Sequence, residues 1–489
     1  MRACHAPLIF AIALASSGCP ADDTDKPDDS PGTDSPSTTD TETTMPTGTT
    51  GTTGDTGGST TAPPTLAVSC DPTDNPLRFL CTVDVDPAQP VQLVYARADG
   101  LSATRTVTSD LVQSQHELPV YFLAPEQVYD LTVSATAWPD DTIPGQLTAG
   151  SMPADFRSSL TMTGTSTMGM IGSHDPCSGE AVAVVYDTNT GDLVWFELMN
   201  PGGQFGSLDM VVFTDDHTVL GESTGDVIEV DLMGEDLVRL DNLDDAFGVN
   251  VGGPFGNFHH DIAKRDGVYY VFYQESYGGN DVLDTVILFD GLGTELARWY
   301  PIDHLPIPGN WGGDYLHTNS IWVDEAYDIH LSWLSLDSVA KIEGDWTSPD
   351  FGTPIWILDG DAGGGMGTIT TDWSAVGGPD EFGGQHSFLV RPDGRLQLLD
   401  NDSGRGLVID LDEVAGTATV DAEYETHENG CGPQGTSRST LGGNAVVACT
   451  GDWVREFDGV SGEMLWEAEV QCPGGGSPGS SRWYPLDGW

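Results

Sequence analysis

Tyr186-Asp187-Thr188-Asn189-Thr190-Gly191-Asp192-Leu193-Val194-Trp195 reads as a strand, a Gly turn and a second strand that ends in tryptophan. Near the other end of the chain, Phe457-Asp458-Gly459-Val460-Ser461-Gly462-Glu463-Met464-Leu465-Trp466 repeats that pattern. Leading into the first and between the two, apolar residues alternate at 181–186, 210–213, 268–273, 286–289, 396–399 and 445–448. Turn residues separate them: Asp266-Gly267, Pro392-Asp393-Gly394 and Gly442-Gly443-Asn444. Helical periodicity is nearly absent. Regular short strands filling residues 154–489 predict a β-propeller, in which each blade is a four-stranded sheet. At roughly 45–60 residues per blade six blades fit best, although the spacing also allows seven. The two repeats are then the outer hairpins of the first and last blades, and Trp195 and Trp466 pack between blades rather than line a ligand site.

Residues 65–153 read as a separate small β-sandwich, with short alternating strands divided by Pro, Asp and Gly turns. Within it, Leu123-Ala124-Pro125-Glu126-Gln127-Val128-Tyr129-Asp130-Leu131-Thr132-Val133 resembles a fibronectin type III or Ig-like strand, in which the tyrosine makes a corner hydrogen bond. The expected role of this domain is spacing or presentation. The expected architecture is all-β: a six-bladed β-propeller preceded by a small β-sandwich and a disordered tether.

The tether is residues 20–64, made of Thr, Gly, Pro, Ser and Asp with almost nothing apolar to offset chain entropy. As a flexible coil it spans roughly 35–40 Å root-mean-square. Residues 1–19 read as a lipoprotein signal peptide. Arg2 supplies the basic end, 8–15 is a short apolar run, and Ser16-Ser17-Gly18-Cys19 resembles a lipobox that lipidates Cys19. The run is too short to span a bilayer. The expected location is therefore outside the cell, lipid-anchored to the envelope in the periplasm or at the outer membrane or cell surface.

With 17 basic and 76 acidic residues the net charge is −59, which argues against nucleic acid as a partner. Halotolerance, bound calcium and plain solubility each account for the acidity. Cys4 leaves with the signal and Cys19 is the lipid site. Six cysteines remain, an even number in an exported protein, and they suggest disulfides. Cys70–Cys81 within the sandwich and Cys431–Cys449 across adjacent strands are the expected pairs. The chain has no Cys-x-x-Cys, so zinc or thiol redox chemistry is not expected.

Three histidines share a local context. His260 lies in Phe258-His259-His260-Asp261-Ile262, ahead of an Asp-Gly turn and Val-Tyr-Tyr-Val-Phe. His317 lies in Leu316-His317-Thr318-Asn319-Ser320-Ile321, and His386 in Gly384-Gln385-His386-Ser387-Phe388 ahead of a Pro-Asp-Gly turn. Each starts the innermost strand of a blade, and each follows the last by about one blade. A lone histidine at a strand start is ordinarily a surface or hydrogen-bonded residue. Three at equivalent positions on neighbouring blades converge on one axial pocket. No His-x-His or His-x-x-x-His is present to favour a metal over another use.

These motifs resemble the arylsulfotransferase family of six-bladed propellers. Further resemblance lies in Leu399-Asp400-Asn401, Trp356-Ile357-Leu358-Asp359-Gly360, Gly435-Thr436-Ser437-Arg438, Leu441-Gly442-Gly443-Asn444 and Arg482-Trp483-Tyr484-Pro485-Leu486-Asp487. In order they cover most of residues 165–489. The resemblance implies transfer of a sulfuryl group from a phenolic sulfate ester to a phenol, through a sulfohistidine and without a nucleotide donor or cofactor. It makes His386 the nucleophile. His260 and His317 hold the sulfuryl oxygens and assist the leaving phenolate, with His259 and Asn319 beside them. One departure stands out. The family places an arginine in the strand after its His-x-Asn motif, where this chain has Leu334. Leucine offers no guanidinium fork. Arg438, near the start of an inner strand of the last blade, is the candidate to supply one, while Arg391 beside a turn reads as a surface residue.

Two other readings stand beside sulfuryl transfer. One is a non-catalytic, surface-anchored binding propeller, which the missing arginine favours. The other is a quinoprotein-like dehydrogenase with a calcium-held quinone, suggested by the Thr-Gly-x-x-x-Trp hairpin, which gives the three histidines no role.

Overall fold

Every second residue of the strand Phe79–Asp86 is buried: Phe79, Cys81, Val83 and Val85. This is the period of a sheet with one face on a core. The computed structural model describes residues 62–489, apart from 154–155, 157, 176, 178–181, 200–209, 224, 249–257, 279–280, 310, 361–364, 373–380, 428–429, 452 and 473–481. The signal segment, Cys19 and all but the last residues of the tether lie outside the described residues.

Residues 65–148 form the expected sandwich. Thr65–Pro72, Phe79–Asp86 and Gln115–Val120 make one sheet. Arg105–Ser109, Val91–Arg97, Val128–Ala135 and Trp138–Thr148 make the other, in that order. The tyrosine corner is present: the backbone N–H of Ala124 donates to Tyr129 Oη at 2.7 Å.

Six sheets follow, each with four antiparallel strands; two gain a fifth at the outer edge, Thr370–Asp372 in parallel on blade 5 and Ser159–Gly164 on blade 6. From the axis outward, blade 1 is Trp483–Pro485, Met170–His174, Val182–Asp187 and Leu193–Leu198. Blade 2 is Met210–Phe213, Val219–Ser223, Asp226–Val230 and Asp236–Leu240. Blade 3 is Phe258–Arg265, Val268–Gly278, Asp281–Asp290 and Glu295–Trp299. Blade 4 is Thr318–Val323, Ile329–Trp333, Ser338–Ile342 and Pro354–Asp359. Blade 5 is His386–Val390, Leu396–Asp400, Arg405–Asp412 and Thr417–Glu425. Blade 6 is Thr436–Ser439, Ala445–Ala448, Trp453–Phe457 and Met464–Gln471. Strands from opposite ends of the propeller close the ring. The last strand, Trp483–Pro485, pairs with Met170–His174 of blade 1. The first, Ser159–Gly164, pairs with the outer strand of blade 6. Cys177–Cys472 bridges the same seam, and the two expected disulfides, Cys70–Cys81 and Cys431–Cys449, are both formed.

The hairpin read twice in the sequence recurs around the ring. Asp187, Asp231, Asp290, Asp412 and Asp458 each end or directly follow a third strand and accept backbone N–H bonds of 2.6–3.2 Å from the adjoining turn. Glu343 takes this place in blade 4. Such local bonds satisfy turn amides that no strand can reach. In blade 1 the turn needs Gly191: its φ is +75°, and a Cβ there would fall 2.3 Å from the Leu160 carbonyl oxygen. Outer-strand aromatics then reach the next blade's turn. Trp195 Nε1 donates to Leu232 O at 2.9 Å, Trp299 to Gly352 O at 3.0 Å, and Trp356 to Glu413 at 2.9 Å. Trp195 and Trp466 are buried, as blade packing requires.

The sandwich is more than a spacer, because it shares a core with blade 1. Leu77, Leu118 and Met152 belong to one apolar cluster with Ile171, Val184 and Trp466. Arg78, only 2% exposed, crosses the junction. It bonds Glu197 at 2.5 Å, Met233 O at 2.9 Å and Phe196 O at 2.8 Å, and lies 4.9 Å from the Trp195 ring centre. Arg97 pairs with Asp192 at 2.6 Å beside it. Arg78→Ala leaves Glu197 and two carbonyls without their cation. It is expected to lower unfolding free energy by about 3 kcal/mol, read from the urea midpoint.

Candidate active site

The chain enters the inner strands of blades 3, 4 and 5 through a strained turn. His260 (φ 67°), His317 (φ 48°) and Ser387 (φ 55°) are all left-handed, a region that costs a non-glycine residue about 1–3 kcal/mol. Register shifts fall at the same places, between Phe258 and Ile262, Thr318 and Ser320, and His386 and Leu389. The bulges turn side chains out of the ladder's alternation.

They bring the histidines together. His260 Nε2 lies 2.9 Å from His317 Nε2, with ring centres 4.8 Å apart. His386 is near enough to both that its charge depresses His260 and the charge of His317 depresses His386. His259 turns away: its Nε2 lies 3.1 Å from Asp284, whose other oxygen accepts the Thr318 amide. Burial opposes ionisation of that carboxyl, yet His259, the amide and His317 hold it below its ordinary range.

The hydrogen bonds assign protons to the rings. His386 Nδ1 faces two acceptors, Gly384 O at 3.0 Å and Asn401 Oδ1 at 3.2 Å. The Asn401 amide is fixed by its own donation to Gly432 O at 2.6 Å and Gln434 O at 2.7 Å. Nδ1 therefore carries hydrogen, and the lone pair of neutral His386 is on Nε2. His317 Nδ1 lies 2.9 Å from Asp314, so it too carries hydrogen.

The three rings differ in basicity. Burial, followed by His259, His317, His386 and Arg482, pushes His260 down to about 2. His386 falls to about 4, chiefly through burial with Arg482 and His317 adding, although Gly384 and Asn401 act the other way. His317 is raised above its ordinary 6.5 by its bond to Asp314, against a smaller opposing effect of burial. The shared contact thus joins His317, whose cation Asp314 favours, to His260, whose burial favours the neutral ring.

Inner strands are laced across blades around these rings. Asn319, fully buried, donates to Gln385 O at 2.6 Å, and its Oδ1 has no partner among the described residues. Ser320 Oγ accepts the Phe388 amide at 3.2 Å. The guanidinium tied to the histidines is Arg482, on the residue before the last inner strand. It bonds Asp261 at 2.6 Å, His260 O at 3.0 Å and Asn319 O at 3.0 Å. Arg438 instead stacks its guanidinium 4.0 Å from the Tyr484 ring centre. Arg391 is not the surface residue expected from its turn. It is 4% exposed and bonds Gln397 and Gly443 O, because the turn folds back on blade 6. Leu334 follows the second strand of blade 4, where its amide holds His317 O at 3.1 Å. Asp314 and Arg482 were not singled out from the sequence. The first stands three residues before His317, and the second opens the quoted C-terminal motif.

Among the described residues no group of three or more His, Cys, Asp or Glu is arranged to hold a metal ion. The calcium of the quinoprotein reading therefore has no such donor set there.

No family model matches the chain, and no curated protein matches it. Solved structures are similar at the level of fold. A protein of unknown function from Bacteroides caccae shares 10% identity over 64% of this chain and 97% of its own, with a TM-score of 0.42. A virginiamycin B lyase from Staphylococcus aureus shares 11% over 65% of this chain and 75% of its own, with a TM-score of 0.33. An auxiliary nutrient binding protein from Bacteroides ovatus shares 9% over 81% of this chain and 86% of its own, with a TM-score of 0.34.

The low basicity of His386 also sets a stability gradient. An unfolded histidine gains its proton near pH 6.5, while His386 waits until about 4. Folding stability is thus lost as pH falls from about 6.5 towards 4. Between pH 7 and pH 5 the wild type should lose about 2 kcal/mol more than His386→Gln in urea unfolding, a difference that vanishes above pH 7.

Proposed function

We propose that the axial histidines transfer a sulfuryl group from a phenolic sulfate ester to a phenol, with Nε2 of His386 as nucleophile. The observation that carries this reading is the bonding of His386 Nδ1 to Gly384 O and Asn401 Oδ1, which leaves the lone pair on Nε2. Depression to about 4 keeps that ring neutral, and hence nucleophilic, at ordinary pH. The ordered motifs of residues 258–262, 316–321 and 384–388 support the same assignment.

In the first half-reaction the Nε2 lone pair of His386 attacks sulfur and the S–O bond to the aryl group breaks. The leaving oxygen takes the Nε2 proton of His317. The sulfonated His386 ring keeps its Nδ1 hydrogen, and its positive charge is met by Gly384 O and Asn401 Oδ1. In the second half the acceptor phenol attacks sulfur, returns a proton to His317, and the N–S bond breaks. A phenolate, with a parent pKa of about 10, leaves with modest proton donation. The Nδ1 hydrogen of His260 and the second Nδ2 hydrogen of Asn319 are the candidates to hold the sulfuryl oxygens, and Arg438 the candidate to reach the aryl sulfate beyond them. The same reading has the chain exported and lipidated at Cys19, with a small phenolic sulfate and a phenol as partners.

Purified protein given a nitrophenyl sulfate should release nitrophenol when phenol is added. His386→Ala should lose more than about 1000-fold in kcat/KM. The pH profile should rise as His386 deprotonates through about 4 and fall as His317 loses its proton above 6.5. Turnover that survives in His386→Ala ends the mechanism. Silence of the folded wild type with every aryl sulfate favours a non-catalytic binding propeller, the reading that Leu334 in place of arginine supports.

A further inference from the structure

The raised basicity of His317 has an identifiable source. Asp314 grips it twice, through its Nδ1 at 2.9 Å and its backbone N–H at 3.0 Å. Asp314 is in turn fixed. Gln274 Nε2, on the second strand of blade 3, donates to its Oδ2 at 2.7 Å, and Gln274 is 5% exposed. Ser335 Oγ donates to its carbonyl at 3.2 Å, and its backbone bridges to Val282 of blade 3. Four segments converge to set one carboxylate against one imidazole.

We propose that Asp314, buttressed by Gln274, is the positioning residue that orients His317 and makes it the proton donor of the site. The inference rests on the sulfuryl-transfer reading. In that reaction the proton from His317 Nε2 passes to the leaving aryl oxygen as the S–O bond breaks, and Asp314 keeps the Nδ1 proton in place so that only Nε2 gives way. The groups that bear on His317 are Asp314 and Asp284, both favouring its cation, together with His260 at 2.9 Å, and His386, which feels its charge. Arg482 lies within the same set of charges, paired with Asp261.

The test compares wild type, Asp314→Asn and Asp314→Glu, with two readouts. The first is the ring titration of His317 by NMR on histidine-labelled protein, assigned by the loss of its signal in His317→Gln. Asp314→Asn should lower that midpoint by about one pH unit or more, and Asp314→Glu should restore part of the shift. An unmoved midpoint overturns the proposal whether or not the protein is active. The second is a series of aryl sulfates graded by leaving-group pKa. Asp314→Asn should cost about 100-fold with the poorest leaving group and little with a nitrophenolate that needs no proton, and its alkaline limb should move to lower pH. An equal loss with every ester marks a merely structural role and also overturns it. A wild type that titrates as described but transfers no sulfuryl group sinks the reaction while leaving the Asp314–His317 coupling measured. In that case the claim that Asp314 makes His317 a donor to an aryl oxygen falls with it.

Discussion

The buried pair between Arg482 and Asp261 is the interaction on which the axial site depends. Both side chains are nearly inaccessible, at 3% and 6% exposure. One oxygen of Asp261 takes the guanidinium and the other accepts the Ile321 amide at 3.0 Å. The same guanidinium collects the carbonyls of His260 and Asn319. Blades 1, 3 and 4 are therefore pinned at one point beside the histidines. Removing either charge strands the other out of water, a loss of about 3–5 kcal/mol in comparable pairs. That rigidity is what can hold His260 and His317 in left-handed backbone, which loose loops would relax.

Much of the architecture was legible because its signals are local. Period-two burial, turn glycines and the Tyr129 corner each need only a few neighbouring residues. The hairpin was read twice, but its capping carboxylate occurs in every blade. The other copies escaped because Val230-Asp231 and Leu411-Asp412 lack the closing Trp, and Phe289-Asp290 carries its Trp299 one position later than the two conspicuous copies do. The histidines were legible for a different reason. Their spacing follows the blade, and a closed ring converts blade-length spacing into proximity.

What stayed hidden is made by distant segments. Arg482 meets Asp261 only because the ring closes with its last strand, and the Cys177–Cys472 bridge has the same origin. Arg78 and Arg97 look like ordinary surface arginines until the sandwich docks on blade 1. Arg391 became an internal residue because a turn folds onto the neighbouring blade. The basicities of His386 and His317, pulled in opposite directions, come from burial and from Asp314, neither of which motif spacing reports.

Order of synthesis gives the closure a temporal meaning. A ribosome delivers His260, His317 and His386 well before Arg482. Until the stretch around residue 482 emerges and threads against Met170–His174, the strands that carry His260 and His317 lack their shared guanidinium and blade 1 lacks its innermost strand. A nascent or truncated chain that stops short of this point can form individual sheets yet lacks a finished centre. Competence then arrives in a single late event, the docking of the terminal strand, rather than growing blade by blade.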